Sequence, residues 1–80
     1  MKVYIYRESE SECQLQFESG ELFYILNSNG VVHIRRIKFP YSHHVVRYEG
    51  ITTAEAIHRF CGGKEEMVLS FLPLKEKPII

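Results

Sequence analysis

Between His33 and Tyr48 the chain carries the cations Arg35, Arg36, Lys38 and Arg47, the histidines His33, His43 and His44, and the aromatics Phe39, Tyr41 and Tyr48, with no acidic residue among them. Guanidinium groups match phosphate oxygens in a fork geometry, and aromatic rings on a sheet offer stacking faces to unpaired bases. Read as chemistry, Arg35, Arg36, Lys38, Phe39, Tyr41, His43, His44, Arg47 and Tyr48 form a candidate site for single-stranded RNA or DNA. The plainer account is the solvated outer face of a hairpin, with Glu12, Glu18 and Glu21 supplying opposite charge across the strands. A formal net charge of zero for the whole chain weighs against strong electrostatic binding.

The one enzymatic reaction that needs so few parts is metal-independent RNA cleavage. His43 or His44 would be the acid or base, and Arg36 or Arg47 would stabilise the phosphorane. No strand-turn-helix nucleophile motif, phosphate-cradling glycine loop or triplet of metal ligands accompanies them, so the expectation is of a protein that is not an enzyme and holds no cofactor. His43 and His44 are adjacent, and neighbours on a strand point to opposite faces and cannot chelate one ion together. His58 and Cys61 are three apart on a predicted helix and could share a face, but no paired-cysteine spacing accompanies them. A packed thiol explains Cys61 more simply than a metal does. With only Cys13 and Cys61, the chain reads as one with buried free thiols, not a secreted disulfide framework.

The elements that must carry these residues follow from periodicity. Val3 and Ile5 alternate in Lys2 to Tyr6, and Cys13, Leu15 and Phe17 alternate with Glu12, Gln14, Gln16 and Glu18, each the period-two pattern of a half-buried strand. An acidic turn over residues 7–12 joins the two. After Ser19-Gly20, the run Glu21 to Leu26 is apolar on both faces, which predicts a central strand with a second cover besides a helix. Asn29-Gly30 is a hairpin signal, and a fourth strand follows to Phe39. There Val32 and Ile34 share one parity while Ile37 and Phe39 share the other, so a bulge is expected at Arg35-Arg36. Pro40 ends that strand and His43 to Glu49 makes a fifth. Thr52 and Glu55 have capping-box spacing, Ala56, Ile57, Phe60 and Cys61 form a helical stripe, and Gly62-Gly63 stops the helix. Met67 to Leu72 is a last strand, expected beside the first and closed by Pro73.

The fold expected is therefore α+β: an antiparallel sheet of five to six strands with one short helix on one face, in the order β-β-β-β-β-α-β. Residues 1–73 make one domain and residues 74–80 a tail that is loose or docks on a partner. Eighty residues leave no room for a second core. No apolar run approaches the roughly 20 residues of a membrane span, and the alternating start does not resemble a signal peptide, so a soluble, cytoplasmic protein is expected. Charge is unevenly laid out. Residues 1–30 carry Lys2 and Arg7 against five glutamates, residues 31–64 carry six cations against Glu49 and Glu55, and no aspartate occurs anywhere.

Tyr4, Tyr6, the two-faced Phe23 and Ile25, and the tail pair Ile79 and Ile80 offer more apolar surface than one helix hides. Interfaces favour such residues. The leading expectation is a non-catalytic protein-interaction module, a homodimer that also binds a further protein, with nucleic acid as the alternative partner and no membrane. In general build it resembles small phage or viral inhibitors of larger intracellular assemblies.

Overall fold

The computed structural model describes residues 1–70 and 77–79. Its elements run β1 (Lys2–Arg7), β2 (Glu12–Phe17), β3 (Leu22–Ser28), β4 (Val31–Lys38), β5 (Tyr41–Glu49), α1 (Thr53–Phe60) and β6 (Glu66–Ser70), which is the expected order of five strands, a helix and a strand. The remainder of the expected last strand, Phe71 and Leu72, lies outside the described residues, as do Pro73 to Glu76 and Ile80. The strands form one sheet in the order β5-β4-β3-β2-β1-β6. The first five are a meander of antiparallel neighbours. The last returns through the helix to lie parallel to β1, with Val3 opposite Met67 and Ile5 opposite Leu69.

Turn chemistry fixes the registers. Asn29 and Gly30 both take positive φ, 52° and 78°, the pair of left-handed residues that a two-residue hairpin reversal needs. This turn sets Asn27 opposite Val32 and Ile25 opposite Ile34. Val3, Ile5, Cys13, Leu15, Phe23, Ile25, Val32 and Ile34 then share one face, and Ala56 and Ile57 of α1 close over them. At the far end of the helix Phe60 stands edge-on to Phe23 at 5.0 Å between centroids and stacks on Phe17 at 6.1 Å. Aromatic pairs favour such tilted and offset arrangements.

The helix is pinned at its start. Thr52 is the N-cap and its hydroxyl accepts from the amide of Glu55 at 3.1 Å. Only half of the capping box forms, because the Glu55 carboxylate instead accepts from Arg59 at 3.2 Å. At the next residue, the Asn27 side-chain amide donates to the Thr53 hydroxyl at 3.0 Å and ties α1 to β3.

The bulge sits elsewhere than expected. Ile34 faces Val46 but Arg35 faces His44, so the extra residue is Val45 on β5 and not an arginine on β4. Ile37 is buried for a different reason: it lies on the face opposite the helix, opposite Ser42. That second face is also covered, since Gln14 and Tyr24 are buried there. The described part of the tail, residues 77–79, docks on its own chain. Lys77 reaches Glu8 at 3.4 Å and Glu12 at 3.5 Å, Pro78 is buried, and Ile79 bridges to Tyr41 on β5.

Leu15 has no exposed surface and sits where β1, β2, β3 and the helix meet. Leu15→Ala is expected to lower the unfolding free energy by about 3 kcal/mol, the loss of transfer energy plus a cavity. Urea denaturation of the two chains measures it, and a change below about 1 kcal/mol would mean that the site collapses around the smaller side chain.

Candidate functional site

The basic segment does not make a single surface. Because Arg35 pairs with His44 and Arg36 with His43, alternation divides the cations between the two faces of the sheet. Arg36, Lys38, Tyr41 and His43 lie on the helix side, beyond the reach of the helix. His33, Arg35, His44 and Arg47 lie on the other side. Most guanidinium groups already have partners. Arg35 donates to the hydroxyl of Ser42 at 2.8 Å and to its carbonyl at 3.0 Å, Arg47 pairs with Glu49, and Arg36 stands 3.9 Å from Glu21. Phe39 and Tyr41 are exposed at the β4–β5 turn, where the Phe39–Pro40 peptide is cis, whereas Tyr48 packs against the core.

The two histidines that share a face are His33 and His44, with rings 6.4 Å apart and nearly perpendicular. Alternation set His43 and His44 on opposite faces, as expected, but named no same-face partner for either. Counting outward from the Pro40 turn could have found the true pair, since 35 opposite 44 puts 33 on the same side. On the helix, the imidazole of His58 meets the carboxylate of Glu65 at 2.7 Å. Among the described residues no group of three or more His, Cys, Asp or Glu side chains could hold a metal ion.

Of the residues singled out as interface, Phe23 and Ile25 are corrected: they are 4% and 0% exposed, sealed beneath α1, and present nothing to a partner. Their two-faced pattern arises because β3 is central and both its sides are covered. Tyr4 and Tyr6 are half-buried on the second face, where the Tyr6 hydroxyl donates to Gln16 at 3.0 Å. Ile79 is exposed but held by its backbone: its amide donates to the Pro40 carbonyl at 2.7 Å and its carbonyl accepts from the Ser42 amide at 3.1 Å. Ile80 lies outside the described residues.

The exposed apolar surface that sequence reasoning missed is on β6. Met67 is 41% and Leu69 69% exposed on the helix side of the outermost strand. They flank a groove of about 190 Å³ lined by Ile5, Cys13, Ala54 and Ile57, with Arg7 and Glu10 at its rim. The alternation of Met67 and Leu69 with Val68 was legible; that the helix would stop short of them was not.

On the opposite face Tyr24 donates to Glu12, which Lys77 also approaches. The Tyr24 bond, with the nearby ammonium adding to it, holds the Glu12 carboxyl below the usual carboxylate range. Burial, then Glu12, pushes the Tyr24 phenol up, and the two carboxylates Glu12 and Glu8 raise Lys77. Burial pushes the thiols of Cys13 and Cys61 up to about 11, so neither is a ready nucleophile at neutral pH. Glu65 is lowered by its own backbone amide first and by His58 next.

No family model, curated protein or solved structure compared with the chain matches it. No described helix is long and apolar enough to cross a membrane.

These shifts set two pH limbs. Glu12 and Glu65 are depressed, so the stability they add is present above their ordinary value of 4.5 and is lost as pH falls through their lower folded values. Tyr24→Phe removes the main cause at Glu12 and should move acid unfolding to higher pH, read by circular dichroism against pH. Both thiols are raised, so their contribution is present below 9.0 and is lost as pH rises toward about 11. Cys13→Ala should flatten the first part of that alkaline decline, and an unchanged slope in urea titrations at stepped pH would refute the assignment.

Proposed function

We propose that this chain is a non-catalytic protein-interaction module that works through the apolar end of its sheet. The observation that carries the reading is the pair Met67 and Leu69, large apolar side chains left in solvent at 41% and 69% on an outermost strand, beside an apolar groove. Scattered exposed apolar residues need no explanation, but a cluster rimmed by charge marks a contact surface. Partner binding gives these residues a role that folding does not. The reading also accounts for the poor fit to catalysis, since the exposed histidines and arginines are dispersed over two faces and most of the arginines are already paired.

The arrangement of His33, His44, Arg35 and Arg47 on one face favours a second reading, single-stranded nucleic acid. Salt separates the two. A protein-interaction module should show no binding of a labelled single-stranded RNA or DNA by fluorescence anisotropy at low ionic strength. Binding that weakens steeply with added salt, and that Arg35→Glu with Arg47→Glu abolishes, would replace the first reading with the second. RNA left with the pure protein and a chelator should stay intact; cleavage there, lost in His33→Ala or His44→Ala, would make the protein a ribonuclease. Leu69→Lys should change the unfolding free energy of dilute protein by less than about 0.5 kcal/mol, because the side chain has little to lose in the monomer. A larger loss would mean that Leu69 serves the fold.

A further inference from the structure

The sheet has two edges, and they are treated differently. At β5 the extra residue Val45 breaks the ladder, and the described tail occupies the outer backbone groups near the turn, where Ser42 donates to Ile79 and Ile79 donates to Pro40. Bulges and covering segments are the usual means of blunting an edge. At β6 neither device is present among the described residues. The strand is regular over Glu66–Ser70, and beyond its pairing with β1 no described residue pairs with its other side.

The backbone phase of that open side can be assigned. Glu66 donates its amide inward to the Met1 carbonyl at 2.7 Å. In a parallel ladder the N–H and C=O of one residue point the same way and alternate along the strand. Glu66, Val68 and Ser70 therefore turn inward, and Met67 and Leu69 direct both their amide and their carbonyl away from β1. The two residues with exposed apolar side chains are also the two whose outward backbone groups have no partner among the described residues.

From this the geometry points to a second copy of the same chain as the occupant of the β6 edge, paired antiparallel about a twofold axis through Val68. The inference rests on the interaction-module reading and names its first partner. In that register Met67 faces Leu69 of the second copy and Leu69 faces its Met67. Both pairs are outward-directed residues, so four backbone hydrogen bonds form. Their side chains fall on the helix side, where each pair extends the apolar wall of the groove onto the next molecule. Glu66 meets Ser70, so no like charges oppose. Shifting the axis to Met67 would set Glu66 against Val68 and the half-buried Glu65 against Leu69, and an axis at Glu66 would set that carboxylate against itself. The axis at Val68 satisfies backbone phase, apolar matching and charge together.

A non-hydrogen-bonded pair such as Val68 with its twofold mate brings Cα atoms to about 4.5 Å, within disulfide range. The test is the full chain carrying Val68→Cys, Met67→Cys, Leu69→Cys or Val45→Cys, each oxidised gently and run on a non-reducing gel. The unaltered chain is the control, as its thiols are pushed up to about 11 and react slowly. Covalent dimer from Val68→Cys and not from the other three is expected. Sedimentation of the unaltered chain should show a monomer–dimer equilibrium that Leu69→Lys abolishes. Amide exchange should show protection of Met67 and Leu69 rising with protein concentration, a readout that needs no variant. A chain that stays monomeric to roughly 1 mM overturns the inference, since a weaker contact than that is not specific. So does cross-linking through Val45, Met67 or Leu69 in place of Val68. A monomer that also ignores oligonucleotides would remove this dimer and leave the interaction reading standing, whereas tight oligonucleotide binding would remove that reading whatever the oligomeric state.

Discussion

An eight-residue helix cannot cover a six-stranded sheet, and most of the surface follows from that mismatch. Eight residues rise about 12 Å, whereas five inter-strand spacings span about 24 Å. Ala56 and Ile57 reach the central rows, from Val3 and Ile5 across Leu15 and Ile25 to Ile34, and these are the residues with little or no exposed surface. Beyond the helix at the β4–β5 end, the same face carries Arg36, Lys38 and His43, which water solvates without cost. Beyond it at the other end it carries Met67 and Leu69, which water does not. The two ends of one face thus meet solvent with opposite chemistry.

The second face solves the same problem with chain instead of helix. Gln14 and Tyr24 are buried there and the described part of the tail contributes Pro78 and the Lys77 contacts to Glu8 and Glu12. The half-buried Glu12 carboxylate finds partners in the ammonium and the Tyr24 hydroxyl. Charge at one end of the chain is thereby fixed against charge at the other. The acidic bias of the first thirty residues is a binding site for the chain's own terminus as well as a solvated turn.

The fold was legible because local signals agreed with one another. Asn29-Gly30, Ser19-Gly20 and Pro40 set the turns, alternation in β1 and β2 set the faces, and Thr52 with Glu55 set the start of the helix. The last strand was expected beside the first with no decisive local signal for it, and it lies there, parallel. What could not be read depends on registers between strands. Ile37 and Ile34 have different parities whether the extra residue sits at Arg35 or at Val45, and only the pairing partner distinguishes them. Phe23 and Ile25 looked like surface because sequence gives the number of apolar faces but not what lies over each. The division of the basic segment between two faces was implied by alternation, and the partners of Arg35, Arg36 and Arg47 were not, since each depends on a neighbouring side chain or strand adopting one rotamer.

The extra residue at Val45 has a consequence for how far such sheets can grow. A molecule with two flat, unpaired borders can add neighbours at both and polymerise without limit, the route by which soluble sheets become fibres. Here one border is kinked by Val45 and fastened by Ile79. Growth from the other border would end after a single addition, because a newcomer would bring an outer rim already closed to the next.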